Sequence, residues 1–501
     1  MQAPAADLLR PARWAAGWWW PLLPAAWLSL FWRLGEQPLQ NWDEARLAVN
    51  AAEMLRNRNW LVTHFQGQPD LWNTKPPLLV WLQAASMHLF GYSEWAFRLP
   101  TALAALALTG LVAAFARRWL GGPLAGLLAG LALLSSKGFV AQHVARTGDY
   151  EALLLLFTTG QVLAAFAWLH TRRPRYLLLL GAAVGLAVLT KSVAGLFLLP
   201  GVAIEIGRRG RLLALVRQPA TWAAAVLAVG PPALWYCLRE QAAPGYWHAV
   251  WVNELGGRML GALEEHAAPW YWYLGSFVSQ QFLLWTPWAV AAGWALARRP
   301  TRRPAHRFLT LAAWAGGVFM VVISAASTKL AWYDAPLYPL LALVLGGGLA
   351  ALARRVAGPA AAPQRWRGAL LLALAVVPSV VALHRRLAKV HAHRYDEAAL
   401  AYGRYLHEPA ARPVRRFTAL HRSTSPATQT YNAPLDFYAL AYRHQHPADT
   451  VEVSYTAAGF APGRVVVVCG AAALAEVQQH HRTRTLYRAD SCRTLQVLAP
   501  R

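Results

Sequence analysis

Two short motifs near the start of the chain carry residues that can do chemistry. The first, NWDEAR, sets Asp43 and Glu44 side by side with Arg46 just beyond them. The second, NTKPPLL, fixes Lys75 ahead of Pro76 and Pro77. A carboxylate can take a proton from an attacking hydroxyl. A lysine can hold a phosphate whose charge grows as the bond to it breaks. Later motifs add to the set. HVARTGDYEALLLLF brings Arg146 and Asp149, NELGGRMLG brings Arg258, EEHAAPWYWYL brings His266, and STKLAWYDAPLYPLL brings Lys329 and Tyr333. Structural roles are open to the same groups. Asp43 and Asp149 can cap helices, and Lys75, Lys191 and Lys329 can anchor helix ends at a membrane edge. His64, His88, His143 and His248 show no metal-ligand spacing and read as packing or surface groups.

The elements that must position these residues are set by composition. Of 501 residues, 56% are hydrophobic and only 14% charged, and 25 are tryptophan. Mean hydropathy is +0.28. Apolar runs near the length needed to cross a hydrocarbon core recur along the chain. The pattern predicts a polytopic all-α membrane protein, because the helices of a soluble core would each keep a polar face. The net charge of +25 does not point to nucleic acid. It comes in bursts between apolar runs: Arg117-Arg118, Arg172-Arg173, Arg208-Arg209, Arg298-Arg299 and Arg354-Arg355. That is the positive-inside distribution, with the tryptophans as an interfacial belt.

Placing the basic bursts in the cytoplasm gives about eleven transmembrane helices, and up to thirteen, with the N-terminus inside and the C-terminus outside. The weakest spans are 121–136, 176–190 and 193–206, which are short for a crossing. The first outer loop, 35–98, then carries amphipathic surface helices. Acidic groups gather on the outer face: Asp43, Glu44, Asp149, Glu254 and Asp334. Residues 1–388 read as the membrane domain, and residues 389–501 as a small soluble α/β domain on the outer side. In that tail VRRFTAL, FYALAY and RVVVVCG read as strands, and AAALAEVQQHH reads as a helix. Cys469 and Cys492 form a disulfide if the compartment is oxidising, and are otherwise two free thiols. Gly346-Gly347-Gly348 reads as a close helix contact. The N-terminal apolar run lacks a small-x-small cleavage site and reads as a retained first helix.

An outer-face site of carboxylates, lysines, an arginine and tyrosines suits one reaction well: sugar transfer from a lipid phosphate to an acceptor. The leaving group is already activated, so no nucleotide fold is needed, and no Walker loop or Gly-x-Gly-x-x-Gly is present. A transporter or lipid flippase is the competing class. It predicts charges near the bilayer midplane and related sequence halves, and neither is evident.

Taken in order, these motifs resemble the C-type, polyprenyl-phosphate-dependent glycosyltransferases, the family of the protein O-mannosyltransferases and lipid A aminoarabinose transferases. The resemblance covers most of residues 35–350. It implies an inverting transfer at a bacterial inner membrane, from a polyprenyl-phosphate-linked sugar to a glycolipid or protein acceptor, with no nucleic-acid partner. It implies that Asp43 and Asp149 are catalytic and that Glu44 and Arg46 touch the acceptor. Lys75, Arg258 and Tyr333 match positions that hold the lipid phosphate, to which Lys329 can add. His266 and Arg146 lie in matched motifs. The aminoarabinose transferases carry a glutamate before the lysine and a histidine after a loop glutamate, which look like a metal pair. Here those positions are Thr74 and Leu255, so no metal or other cofactor is expected. Trp72 and Leu47 replace family tyrosines, which bears on sugar and acceptor preference.

Overall fold

A computed structural model describes residues 19–140, 143–256, 267–301, 303–358, 365–390, 398–407, 415–421 and 431–501. Among the described residues seven helices are long and apolar enough to span a bilayer: Glu94–Gly121, Glu151–Thr171, Arg175–Leu196, Pro219–Ala242, Pro304–Ala325, Leu337–Ala357 and Trp366–Arg385. Three shorter apolar helices, Leu22–Phe31, Leu78–Phe90 and Pro123–Ser135, accompany them. The protein is therefore a mostly helical, multi-pass membrane protein with a small C-terminal sheet.

The short span expected at 176–190 gains length because the chain continues through a 3-10 turn, Ser192–Leu196, to make Arg175–Leu196. The spans expected at 121–136 and 193–206 stay short, as Pro123–Ser135 and Leu199–Arg208. The segment 272–296 is not continuous. It breaks between Gln281 and Thr286, where Pro287 opens a new helix whose first amide has no partner to lose.

The chain forms two compact units. The first comprises the described parts of Met1–Trp32, Leu71–Leu79 and Thr101–Ala388 and holds nearly all the long helices. Glycine sets its packing. A Cβ on Gly346 would lie 2.4 Å from the Ala125 carbonyl oxygen, and one on Gly348 would lie 2.4 Å from the Ala292 Cα. Helix Leu337–Ala357 thus packs backbone to backbone with Pro123–Ser135 on one side and Thr286–Ala297 on the other, the close approach expected of small residues in lipid.

The second unit comprises the described parts of Arg33–Asp70, Val80–Pro100 and Lys389–Arg501. It joins most of the first loop to the C-terminal segment. Helix Asp43–Asn57 opens on two acids, favourable at the positive end of its dipole, and stops at Arg58 in the left-handed region. A tight hairpin follows, β1 (His64–Phe65) against β2 (Gln68–Pro69). The tail supplies β3 (Arg416–Leu420), β4 (Thr450–Ser454), β5 (Val465–Cys469), β6 (His481–Ala489) and β7 (Cys492–Pro500). They form one sheet in the order β4-β3-β5-β7-β6, parallel through β3, β4 and β5 and antiparallel from β5 onward. Cys469 and Cys492 face each other across β5 and β7 and are disulfide-bonded.

FYALAY is not a strand. It lies in helix Ala433–Gln445, because Asn432 caps the N-terminus through the Leu435 amide and Pro434 occupies the first turn. The apolar residues of that stretch are buried. Tyr438 ties this helix to the first loop: its hydroxyl donates to Glu94 at 2.8 Å and accepts from the Leu39 amide at 2.9 Å.

Candidate active site

In the second unit, three acids stand close in sequence or space with three different fates. Glu44 is 1% exposed and meets Arg98 through two bonds of 2.6 and 2.9 Å. Arg98 also donates to the carbonyls of Leu34, Gln37 and Pro38. This fork holds the loop that enters helix Asp43–Asn57. Asp70, equally buried, accepts both prongs of Arg46 at 2.8 and 2.9 Å and a third bond from Asn50. Burial alone would lower the Arg46 pKa. Asp70 outweighs it, so the guanidinium is held charged above its usual value. Glu44 and Arg46, expected to touch an acceptor, are thus committed to internal forks. Asp43 is half-buried, sits at the first position of its helix, and makes no hydrogen bond or ion pair among the described residues.

Arg46 also lies 4.1 Å from the centre of the Phe65 ring and 5.8 Å from that of Tyr431. Burial pushes the Tyr431 hydroxyl well up, so it stays a neutral donor.

The first unit has its own charged clusters. Lys75 is paired with Glu254 at 3.1 Å, and the Thr74 hydroxyl donates to the same oxygen at 2.7 Å. Tyr246 donates to the Thr74 carbonyl at 2.6 Å and fixes the backbone ahead of the Lys75-Pro76-Pro77 turn. The Lys75 ammonium lies 5.9 Å from the Trp72 ring centre. Next to these, the Tyr150 hydroxyl bonds Asn73 at 3.0 Å.

Asp149 is buried, and its Oδ2 stands 3.3 Å from Nδ1 of His143. Burial alone would raise its pKa. The His143 imidazole, the Thr147 hydroxyl and the Lys191 ammonium together outweigh that and hold it below the usual carboxylate range. The His143 ring in turn stacks on Trp332 at 3.6 Å. Lys191 pairs with Glu151, and its ammonium lies 5.5 Å from the ring centre of Tyr333. Asp149 and Tyr333 are therefore brought together, joined by His143, Glu151, Lys191 and Trp332.

Other expected site residues fall elsewhere in this unit. Lys329 donates to the carbonyls of Ser324 and Ala326, at the negative end of helix Pro304–Ala325. Arg146 donates to the carbonyls of Ser29 and Trp32 at the end of the first short helix. Arg258 and His266 lie outside the described residues, as does the side chain of Leu255. Among the described residues no group of three His, Cys, Asp or Glu side chains is placed to hold a metal ion.

Three partners escaped sequence reasoning. His143 was expected only to pack, and Glu254 and Glu151 were not assigned to the site. Spacing could have found Glu151, which follows Asp149 by two at a helix start. Nothing in sequence spacing links Thr74 and Lys75 to Glu254, which lies 180 residues beyond Thr74.

The chain thus has a many-helix membrane unit with lysine–carboxylate clusters and a second unit with an open aspartate at a helix start. In sequence the chain is similar to the polyprenyl-phosphate-dependent glycosyltransferases. Residues 74–236 match the family model described as dolichyl-phosphate-mannose-protein mannosyltransferase. The chain is 29% identical over 363 residues to the undecaprenyl phosphate-alpha-4-amino-4-deoxy-L-arabinose arabinosyl transferase of Aeromonas salmonicida, covering 70% of this chain and 63% of that one. It is 30% identical over 325 residues to the enzyme of the same description from Shewanella sediminis, covering 63% and 57%. The chain thus spans less than two thirds of the length of these curated relatives. In fold it is similar to ArnT from Cupriavidus metallidurans, solved with bound undecaprenyl phosphate, at a TM-score of 0.69, 19% identity and coverage of 96% and 98%.

Proposed function

We propose that this protein moves a sugar from a polyprenyl-phosphate donor to a cell-envelope acceptor, glycolipid or protein, with inversion at the transferred carbon. The acceptor oxygen attacks the anomeric carbon while the bond to the lipid phosphate breaks. Asp43 takes the acceptor proton, and the phosphate leaves with its charge held by Lys75. The observation that carries the reading is the state of Asp43. It is a family-matched carboxylate at a helix start, left without a partner while Glu44 beside it is locked by Arg98. Such a group is available to a substrate.

Lys75 fits phosphate capture because its partner is a single carboxylate that an incoming phosphate can replace. Arg258 and Tyr333 complete that role by family match, with Asp149 near Tyr333 as a second acid. Lys329 adds positive charge, although its ammonium is also shared with carbonyls. Thr74 takes the place of a family acidic residue and gives its hydroxyl to Glu254. We infer from this that the site works without a metal. The enzyme acts at the outer face of a bacterial inner membrane with its N-terminus inside. The Cys469–Cys492 disulfide supports the orientation, since such bonds persist in oxidising compartments.

The test is direct. Purified protein given a polyprenyl-phosphate sugar and envelope lipids should release polyprenyl phosphate, and Asp43→Asn should not. Undiminished turnover by that variant rules out the role given to Asp43.

A further inference from the structure

Trp42 immediately precedes Asp43 and sits at φ +69, a conformation that bulky residues rarely adopt. Such strain persists only where the surroundings impose it. The ring is nonetheless 46% exposed. Tyr431 stacks on it at 4.8 Å with 21° between the planes, and the Tyr431 hydroxyl reaches back to the Trp42 carbonyl at 3.5 Å. Phe65 stacks on Tyr431 at 5.8 Å and carries Arg46, which Asp70 holds by two bonds. The result is a braced ladder of rings within the second unit. It starts at a fixed arginine and ends in an open indole beside the unpartnered carboxylate of Asp43.

We propose that Trp42, braced by Tyr431, is a stacking platform for a pyranose ring of the acceptor. The proposal rests on the transferase reading and adds to it a residue that positions the acceptor.

The chemistry is specific. One face of a pyranose is lined with C–H bonds whose hydrogens are slightly positive, and the indole face is negative. The rim of the same sugar presents hydroxyls, which suit a free carboxylate at the platform's edge. An apolar wall with few polar groups is how small-molecule sites fix orientation. A tryptophan that only marks a membrane interface would need neither the strained backbone nor the tyrosine behind it. Tyr431 comes from the C-terminal segment, so the proposal also gives that segment a part in acceptor choice.

The test uses the full-length protein in nanodiscs and a water-soluble β-linked glucosamine disaccharide as probe, with affinity measured by calorimetry. Wild type should bind saturably. Trp42→Ala and Trp42→Leu should each weaken binding by about tenfold, the size of one aromatic stacking contact. Trp42→Phe should keep most of it. Lys75→Ala should bind the disaccharide as wild type does while losing donor turnover. No saccharide binding by wild type overturns the proposal. So does wild-type affinity in Trp42→Leu, which keeps the apolar bulk and removes the ring. If the disaccharide binds through Trp42 and polyprenyl phosphate is never released, the transferase reading fails and the platform stands.

Discussion

In the second unit the buried carboxylates Glu44 and Asp70 each face an arginine fork, whereas in the helical unit Glu254 and Glu151 each face a lysine. The difference is chemical as well as geometric. A guanidinium binds a carboxylate through two parallel bonds in a fixed plane, and the pair resists exchange. An ammonium is a compact point charge on a flexible stem, and it can trade one anion for another. Forks therefore build the loop around Asp43, and a lysine pair such as Lys75–Glu254 is able to exchange its anion, as the proposed phosphate role of Lys75 requires. Asp43 has neither kind of partner among the described residues, which separates it from every acid around it.

The sharpest way to break this contrast is to compare neighbours. Asp43→Asn should cut transfer by ~10²–10⁴, the range for loss of a general base. Its folding stability should fall by no more than the ~0.3–1 kcal/mol of its placement at the helix dipole, because no described contact is lost. Glu44→Gln should do the reverse. It leaves Arg98 buried without its counter-charge, a change that costs ~3–5 kcal/mol where it has been measured for such pairs. Thermal unfolding of both variants, beside polyprenyl-phosphate release, separates the roles. If Glu44→Gln stays as stable as wild type while losing turnover, Glu44 belongs to the acceptor site after all.

Lys75 tests the other half. Lys75→Met should raise the KM for the donor by about 10–100-fold, the worth of one charge-assisted bond. Stability should fall much less than in Glu44→Gln, because Glu254 keeps the Thr74 hydroxyl. Lys75→Arg should not rescue fully. A fork would hold Glu254 more firmly and exchange it less readily for phosphate. An arginine variant with an unchanged donor KM would remove the distinction drawn here between forks and lysine pairs.

Much of this was legible in the sequence, and the reasons differ by feature. Asp43 and Lys75 stand out because they sit in ordered motifs within an apolar chain. The long helices are legible because length and hydropathy suffice to find them. The close contact at Gly346–Gly348 followed from side-chain size alone. What hid were pairings across sequence distance. Glu254 with Thr74 and Lys75, and Tyr431 with Trp42, follow from the packing of helices and loops, which no local spacing encodes. His143 looked inert because a pair with one aspartate has no ligand pattern to display. FYALAY misled because aromatic and β-branched preference is weak against a cap: Asn432 and Pro434 decided for helix. The tail's edge strand β6 went unseen because its exposed positions, Arg482, Arg484, Thr485 and Arg488, are polar.

The smallest expected effect concerns another acid of the second unit that lacks an arginine fork. Asp436 accepts from the Gln66 side chain at 3.0 Å, in helix Ala433–Gln445. Arg443 lies one to two turns on but spends its fork on the Val451 carbonyl. Burial pushes the Asp436 carboxyl up to about 6, against the Gln66 bond, with Glu53 adding to the rise and Arg443 and the Tyr455 hydroxyl opposing it. The sign follows from proton counting. Between its ordinary value, near 4, and about 6 the folded chain holds a proton that the unfolded chain has released. Its stabilising contribution is therefore complete below pH 4 and is lost as pH rises through 6, by at most about 3 kcal/mol. Asp436→Asn keeps an acceptor for Gln66 and carries no charge at any pH. Denaturant unfolding at pH 5 and pH 8 should show a drop in wild type that the variant lacks. A salt-bridged carboxylate such as Asp70 would give the opposite slope, with stability lost on acidification. Parallel profiles for wild type and Asp436→Asn would mean that Arg443 neutralises Asp436 from a distance. The contrast between forked and unforked acids would then be one of geometry alone.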